Sequence, residues 1–230
     1  MINSVKLKVK QLLDNDNTGH GFDHVKRVYK LASDLGNQEN ANLEVVVLAA
    51  LLHDVDDYKL FGQECADKLM NAKRIMNECG VDDELQKQVC CVIENMGYSK
   101  ALKGIRPQTL EGKIVSDADM LDAIGANGIV RCMAFALARC DTPIFNPKVW
   151  PETDMSADEY KKPNRKSDNF INHFFEKLLK LKNMMMTDAG TKEACKRHKI
   201  MVNFLEAFFE ENDLLEWKQY LDDYELKNKK

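Results

Sequence analysis

Two histidines and two aspartates carry most of the chemistry this chain can offer. An unbroken apolar run, Val45 to Leu52, ends abruptly in His53-Asp54. An imidazole and a carboxylate at the mouth of a greasy segment are costly unless something pairs with them, and a divalent metal ion does so. Upstream, His24 stands in His24-Val25-Lys26-Arg27-Val28; downstream, Asp119 stands in Asp117-Ala118-Asp119-Met120-Leu121-Asp122-Ala123. We read His24, His53, Asp54 and Asp119 as the ligands of one metal site. This mixed nitrogen and oxygen set suits an octahedral or near-octahedral Mn, Fe, Co, Ni or Zn ion, whereas Mg or Ca sites need no imidazole. Protein ligands fill about four of roughly six positions, which leaves room for water and substrate. Such an ion lowers the pKa of a bound water and polarises a phosphoryl oxygen, so the chemistry implied is hydrolysis of a phosphate ester or anhydride. Arg27, Lys59, Arg131 and Lys177 are candidate phosphate binders by charge.

The elements that must assemble these groups are helices. Val5, Val9 and Leu12–Leu13 fall on one side of a short helix over 2–14, and Asp16-Asn17-Thr18-Gly19 breaks it. A helix from about Asp23 to Leu35 carries Val25, Val28, Leu31, Ala32 and Leu35 as a stripe, with Gly36 and Asn37 as its stop. His24 and Arg27 lie one helical step apart at the edge of that stripe. Asn42 caps the next helix, which is apolar on every face from Val45 to Leu52 and is expected to be covered all round. Successive residues on a helix point about 100° apart. His53 and Asp54 can therefore share an ion only where the helix ends, and Asp56-Asp57-Tyr58 supplies the ending. Further helices are expected over Gln63–Cys79, from Asp82 or Asp83 to Asn95, from Thr109 through Asp119, and from Gly125 to Asp141 with Arg131. Residues 98–108 form a connector.

Four of the five prolines (Pro143, Pro147, Pro151 and Pro163) then mark an irregular excursion, expected as a lid or flap over 142–167 that borders the active-site mouth. Helix resumes near Asp168, where Phe170, Phe174, Leu178 and Leu181 form one row and His173 and Lys177 a second. A last long helix spans about Thr191–Glu211, and a polar tail follows. With no alternating strand pattern, the fold class is all-α, read as one domain with its core at about 20–125 and C-terminal helices at about 168–224.

At 230 residues, 44% hydrophobic and 30% charged, the chain can bury a sizeable core. A formal net charge of −4 argues against a binder of bulk nucleic acid. No apolar run reaches membrane-spanning length, and the N-terminus lacks the apolar core of a signal peptide. Seven cysteines without a C-x-x-C pair suit reduced, buried thiols, which places the chain in the cytoplasm.

Taken together and in order, H-x-x-R-V, an apolar helix ending in HD, and D-A-D-x-L-D-A resemble the HD-domain metal-dependent phosphohydrolases. The likeness covers most of the chain, including L-L-H-D-V-D-D-Y-K at 51–59, D-A-D-M-L-D-A-I-G-A at 117–126 and I-N-H-F-F-E-K-L-L-K-L-K at 171–182. It implies an all-helical HD fold, one divalent metal and a small phosphorylated substrate. A nucleotide fits that class, with pyrophosphate release from a nucleoside triphosphate as one form. No membrane partner is expected, and the chain is expected as a monomer or homodimer. Motif to motif, His24, His53, Asp54 and Asp119 match the metal ligands. Asp117 is the alternative last ligand, and Asp119 is preferred because it holds the D-x-L position. Asp57 matches an acidic position used near the attacking water and is the candidate catalytic acid or base; Asp56 is the weaker of that pair. His173 lies in the shared INHF segment and is a candidate substrate contact. His20 belongs at most to an outer shell. Two-metal relatives need extra histidines after the HD pair, and none lies here between His53 and His173. The rival reading is an HD module that binds or senses nucleotides without turnover.

Overall fold

The structure, a computed structural model, describes residues 1–14, 21–138, 144–160, 162, 165, 167 and 169–228. The expected break at Asp16–Gly19, His20, Pro143, Pro163, Asp168 and the end of the helix running to Asp141 lie outside the described residues. Among the described residues there is helix and no strand, so the chain is all-α. No single helix among them is long and apolar enough to cross a membrane. The chain divides into two compact units, Met1–Asp122 with Met186–Gly190, and Ala123–Met185 with Thr191–Lys230.

The first unit is organised around α3 (Leu43–Leu52), in which every residue from Val45 to Leu52 is buried. Asn42 caps it by accepting from the Glu44 amide at 3.1 Å. α1 (Ile2–Leu13), α2 (Phe22–Gln38), α7 (Asp83–Glu94) and α9 (Leu110–Asp122) pack against it. α2 also packs along α9, burying Val25, Val28, Ala32 and Leu35. Gly36 does not stop α2. A Cβ there would lie 2.8 Å from Leu43 Cδ2, so this glycine allows close approach to α3 and the helix continues to Gln38. The residue that turns the chain is Asn40, at φ 55°.

The helix expected over Gln63–Cys79 is interrupted. It consists of α5 (Gln63–Lys68) and α6 (Met70–Glu78), separated by Leu69 in the left-handed conformation and preceded by the short α4 (Tyr58–Phe61). The cause is Asp56, buried under α6, whose carboxylate accepts from the amides of Asn71 at 2.7 Å and Ala72 at 2.9 Å. The connector likewise holds one short helix, α8 (Tyr98–Leu102).

In the second unit, α10 (Gly125–Ala138) packs against α12 (Phe170–Glu176), which a 3-10 segment, Leu178–Met184, prolongs. Phe170, Phe174, Leu178 and Leu181 are all buried. The Pro-rich stretch, with α11 (Ala157–Tyr160), is tied down from below. Asn172 Nδ2 donates to Val149 O at 3.0 Å, Glu176 accepts from the Glu152 amide at 3.2 Å, and Lys180 donates to Thr153 O. Trp217 Nε1 donates to Pro147 O at 3.2 Å, and the Trp217 ring stacks on Trp150 at 4.3 Å. The long helix, α13, runs Asp188–Glu211. The expected polar tail is a further helix, α14 (Leu215–Lys227), because Trp217, Leu221 and Tyr224 recur on one side and are buried. Of the six described cysteines only Cys90 is buried, and Cys91 and Cys195 are exposed, so they are not the uniform core residues expected.

Candidate functional site

Within the first unit, His24 comes from the first turn of α2, His53 and Asp54 from the end of α3, and Asp119 from the last turns of α9. The C-cap of α3 is His53 itself, and a turn runs from His53 to Asp56, so neighbouring residues turn towards one point without needing to share a helix face. That point is crowded with donors. His24 Nε2 lies 3.2 Å from His53 Nε2, 3.3 Å from Asp54 Oδ2 and 3.5 Å from Asp119 Oδ1. His53 Nε2 lies 3.4 Å from Asp54 Oδ2 and 3.9 Å from Asp119 Oδ1. The two imidazoles are buried, whereas Asp119 is 30% exposed and gives the cluster an open side.

Both rings are held in one orientation. His53 Nδ1 donates to Ala50 O at 2.9 Å, and His24 Nδ1 donates to Asp122 Oδ2 at 2.7 Å. Carbonyl and carboxylate oxygens only accept, so each ring carries its proton on Nδ1 and turns Nε2 inward. Two facing nitrogen lone pairs beside two carboxylates require a cation between them. Among protein groups alone, only protons answer. Burial opposes charge on His24, but Asp119, Asp122 and Asp54 outweigh it and raise the ring to about 10. Burial likewise opposes charge on His53, and the Asp54 carboxylate raises it nonetheless. A divalent ion satisfies the same demand. Metal–nitrogen and metal–oxygen bonds of about 2.0–2.2 Å put neighbouring donors about 3.0–3.5 Å apart, close to the spacings seen here. His24, His53 and Asp119 can hold an ion together, and Asp54 adds a fourth oxygen beside them.

Residues 21–124 match the HD domain family. Bacillus subtilis YpgQ is 34% identical over 206 residues, covering 87% of this chain and 88% of YpgQ. The chain belongs to the HD domain family. Among solved structures, an HD-superfamily hydrolase from Bacillus thuringiensis superposes on this HD protein with a TM-score of 0.71 at 35% identity, covering 92% of this chain and 96% of that one. The structure of Bacillus subtilis YpgQ in complex with ADP superposes with a TM-score of 0.65 at 29% identity, over 92% and 97% of the two chains.

In this HD protein Asp117 takes no part in the cluster. It is buried and accepts from the Met186 amide, the Thr187 amide at 2.8 Å and the Thr187 hydroxyl at 2.7 Å, anchoring the start of α13. Burial pushes it up to about 6 despite those bonds. Asp57 caps α4, its Oδ1 accepting from the Lys59 amide at 2.9 Å, while Lys59 is exposed. Arg27 is engaged with Asp122, Nε donating to Oδ1 at 2.7 Å and Nη2 to Oδ2 at 3.1 Å. Arg131, His173 and Lys177 belong to the second unit. There the His173 ring stacks against Tyr160, and burial, with Lys177 and Arg165 nearby, lowers it to about 3, so it is neutral. Asp122 is the residue that sequence reading missed. Its signal was present: an acidic group three residues after Asp119, set to face the His24 and Arg27 donors of α2.

Proposed function

We propose that this HD-superfamily member is a metal-dependent phosphohydrolase acting on a small phosphorylated molecule, with a nucleotide as the substrate class. The observation that carries this reading is the convergence of two oriented imidazole Nε2 atoms and two carboxylate oxygens on one point with an open side. In this reading His24, His53, Asp54 and Asp119 hold one divalent ion of the Mn, Fe, Co, Ni or Zn type. Such an ion acidifies water and polarises a phosphoryl oxygen. Asp57 accepts the proton released as water attacks phosphorus and the bond to the leaving oxygen breaks. Lys59 is assigned to the phosphates or the leaving group; Arg131, His173 and Lys177, which belong to the second unit, are candidate substrate contacts by charge or motif alone. The nucleotide assignment draws support from the ADP complex of YpgQ. Cys65, Cys79, Cys90, Cys91 and Cys195, which are outside disulfides, favour a reducing compartment such as the cytoplasm.

A screen of phosphorylated metabolites with Mn, Co, Ni and Mg, read by product, tests the proposal. Turnover with a transition metal is expected on a nucleotide, and absent in Asp54→Ala. Phosphate, pyrophosphate or a diester product would name the bond. Metal-loaded protein that binds nucleotides and releases nothing would instead make it a sensing module.

A further inference from the structure

We infer that Asp122, braced by Arg27, is a positioning residue that fixes His24 as a metal ligand; this rests on the proposed metal site. Asp122 is fully buried at the end of α9 and has no solvent to satisfy its charge. Among its partners are a ring nitrogen and a guanidinium. Oδ2 accepts from His24 Nδ1 at 2.7 Å and from Arg27 Nη2 at 3.1 Å, while Oδ1 accepts from Arg27 Nε at 2.7 Å. The planar guanidinium fork sets the plane of the carboxylate, and the carboxylate sets the plane of the imidazole. One helix therefore supplies both the ligand and the brace, since His24 and Arg27 stand three residues apart on α2.

The two histidines are not equivalent in this arrangement. His53 leans on a neutral acceptor, Ala50 O, whereas His24 leans on an ion. A carboxylate partner raises the basicity of the ligating nitrogen and prevents ring rotation. His24 is thus the stronger donor of the pair, and Asp122 contributes to metal affinity without touching the metal or the substrate. Arg27, partly exposed, offsets the buried charge and is spoken for by Asp122 before any phosphate arrives.

The test measures Mn²⁺ affinity from the free-ion electron paramagnetic resonance signal, on the full chain, for wild type, Asp122→Ala, Asp122→Asn and Arg27→Gln. Outer-shell partners of ligating histidines are worth about 10–100-fold in affinity. Asp122→Ala is expected to weaken Mn²⁺ binding by about that range. Asp122→Asn keeps volume and an acceptor oxygen, so it should lose less and serves if the alanine variant does not fold. Arg27→Gln, which removes the brace alone, should fall between wild type and Asp122→Ala. In nitrogen-15 spectra the His24 Nδ1–H signal should vanish in Asp122→Ala while that of His53 persists, a selective change that general loosening would not give. Wild-type affinity in folded Asp122→Ala and Asp122→Asn would overturn the inference and leave the metal site standing. Failure of the wild type to bind Mn²⁺ or Co²⁺ would end both.

Discussion

Asp54 and Asp57 are three residues apart, yet the structure gives them different neighbours and so different expected losses. Asp54 Oδ2 lies against both imidazoles, and Asp54→Ala removes a charged donor from the cluster. Metal content and activity should both disappear, as metal analysis and kinetics on the purified variant would show. Asp57 caps α4 through one oxygen. Asn caps about as well as Asp, so Asp57→Asn leaves the helix start intact while removing the charge. If Asp57 takes the proton of the attacking water, kcat should fall by about 10²–10⁴-fold with metal content unchanged. Near-wild-type kcat at full metal occupancy would reduce Asp57 to a cap. The residue scale also shows what spacing could decide. On a helix Asp117 and Asp119 point about 200° apart, so only one can face His24. Asp119 lies with His24 and His53, and Asp117 finds its partners in Met186 and Thr187 instead. No local pattern names those partners, because they lie 69 and 70 residues away.

The elements divide according to whether their ends are marked locally. α3 and α7 start at side-chain caps, Asn42 and Asp82; the first was readable from sequence, and the second was one of two candidates with Asp83. The break between α5 and α6 was not, because the group that causes it lies on another turn. Asp56 gathers the Asn71 and Ala72 amides and the Cys65 thiol, and Asn71 in turn donates to Val55 O at 2.9 Å. The turn carrying His53 and Asp54 is thereby stapled to α6. α14 was obscured for the opposite reason: its three buried residues are spread among charges, so average polarity hid the row. The staple yields a prediction. Asp56→Ala strands buried amides at the start of α6, at about 1–3 kcal/mol. With about 2–4 °C per kcal/mol for a chain of this length, the melting midpoint should drop by several degrees. An unchanged midpoint in thermal unfolding would mean that α6 caps itself without Asp56.

At the scale of the molecule, the four candidate ligands fall in one compact unit, and they come from α2, α3 and α9, whose sequence positions span nearly all of it. Residues 21–124, matched to the HD domain, cover the same helices. Motif reading selected these residues, and each sits beside an apolar run that must go inward. It was not enough to show how the second unit ties down its proline-rich stretch, since that depends on Asn172, Glu176 and Lys180 meeting backbone groups at Val149, Glu152 and Thr153. An ion bound across three helices must also hold them together. At a hundredfold excess over its Kd, a ligand adds about 2.7 kcal/mol to the folded state, equivalent to about a hundredfold slower exchange of amides that open only when the site is lost. Hydrogen exchange on protein loaded with Mn²⁺ should therefore show α2, α3 and α9 slowed by up to that factor, and a chelator should reverse the effect. Asp54→Ala should exchange at the chelated rate whether or not Mn²⁺ is added. Equal protection of the three helices with and without the ion would mean that the cluster is held together by its own hydrogen bonds and binds no metal.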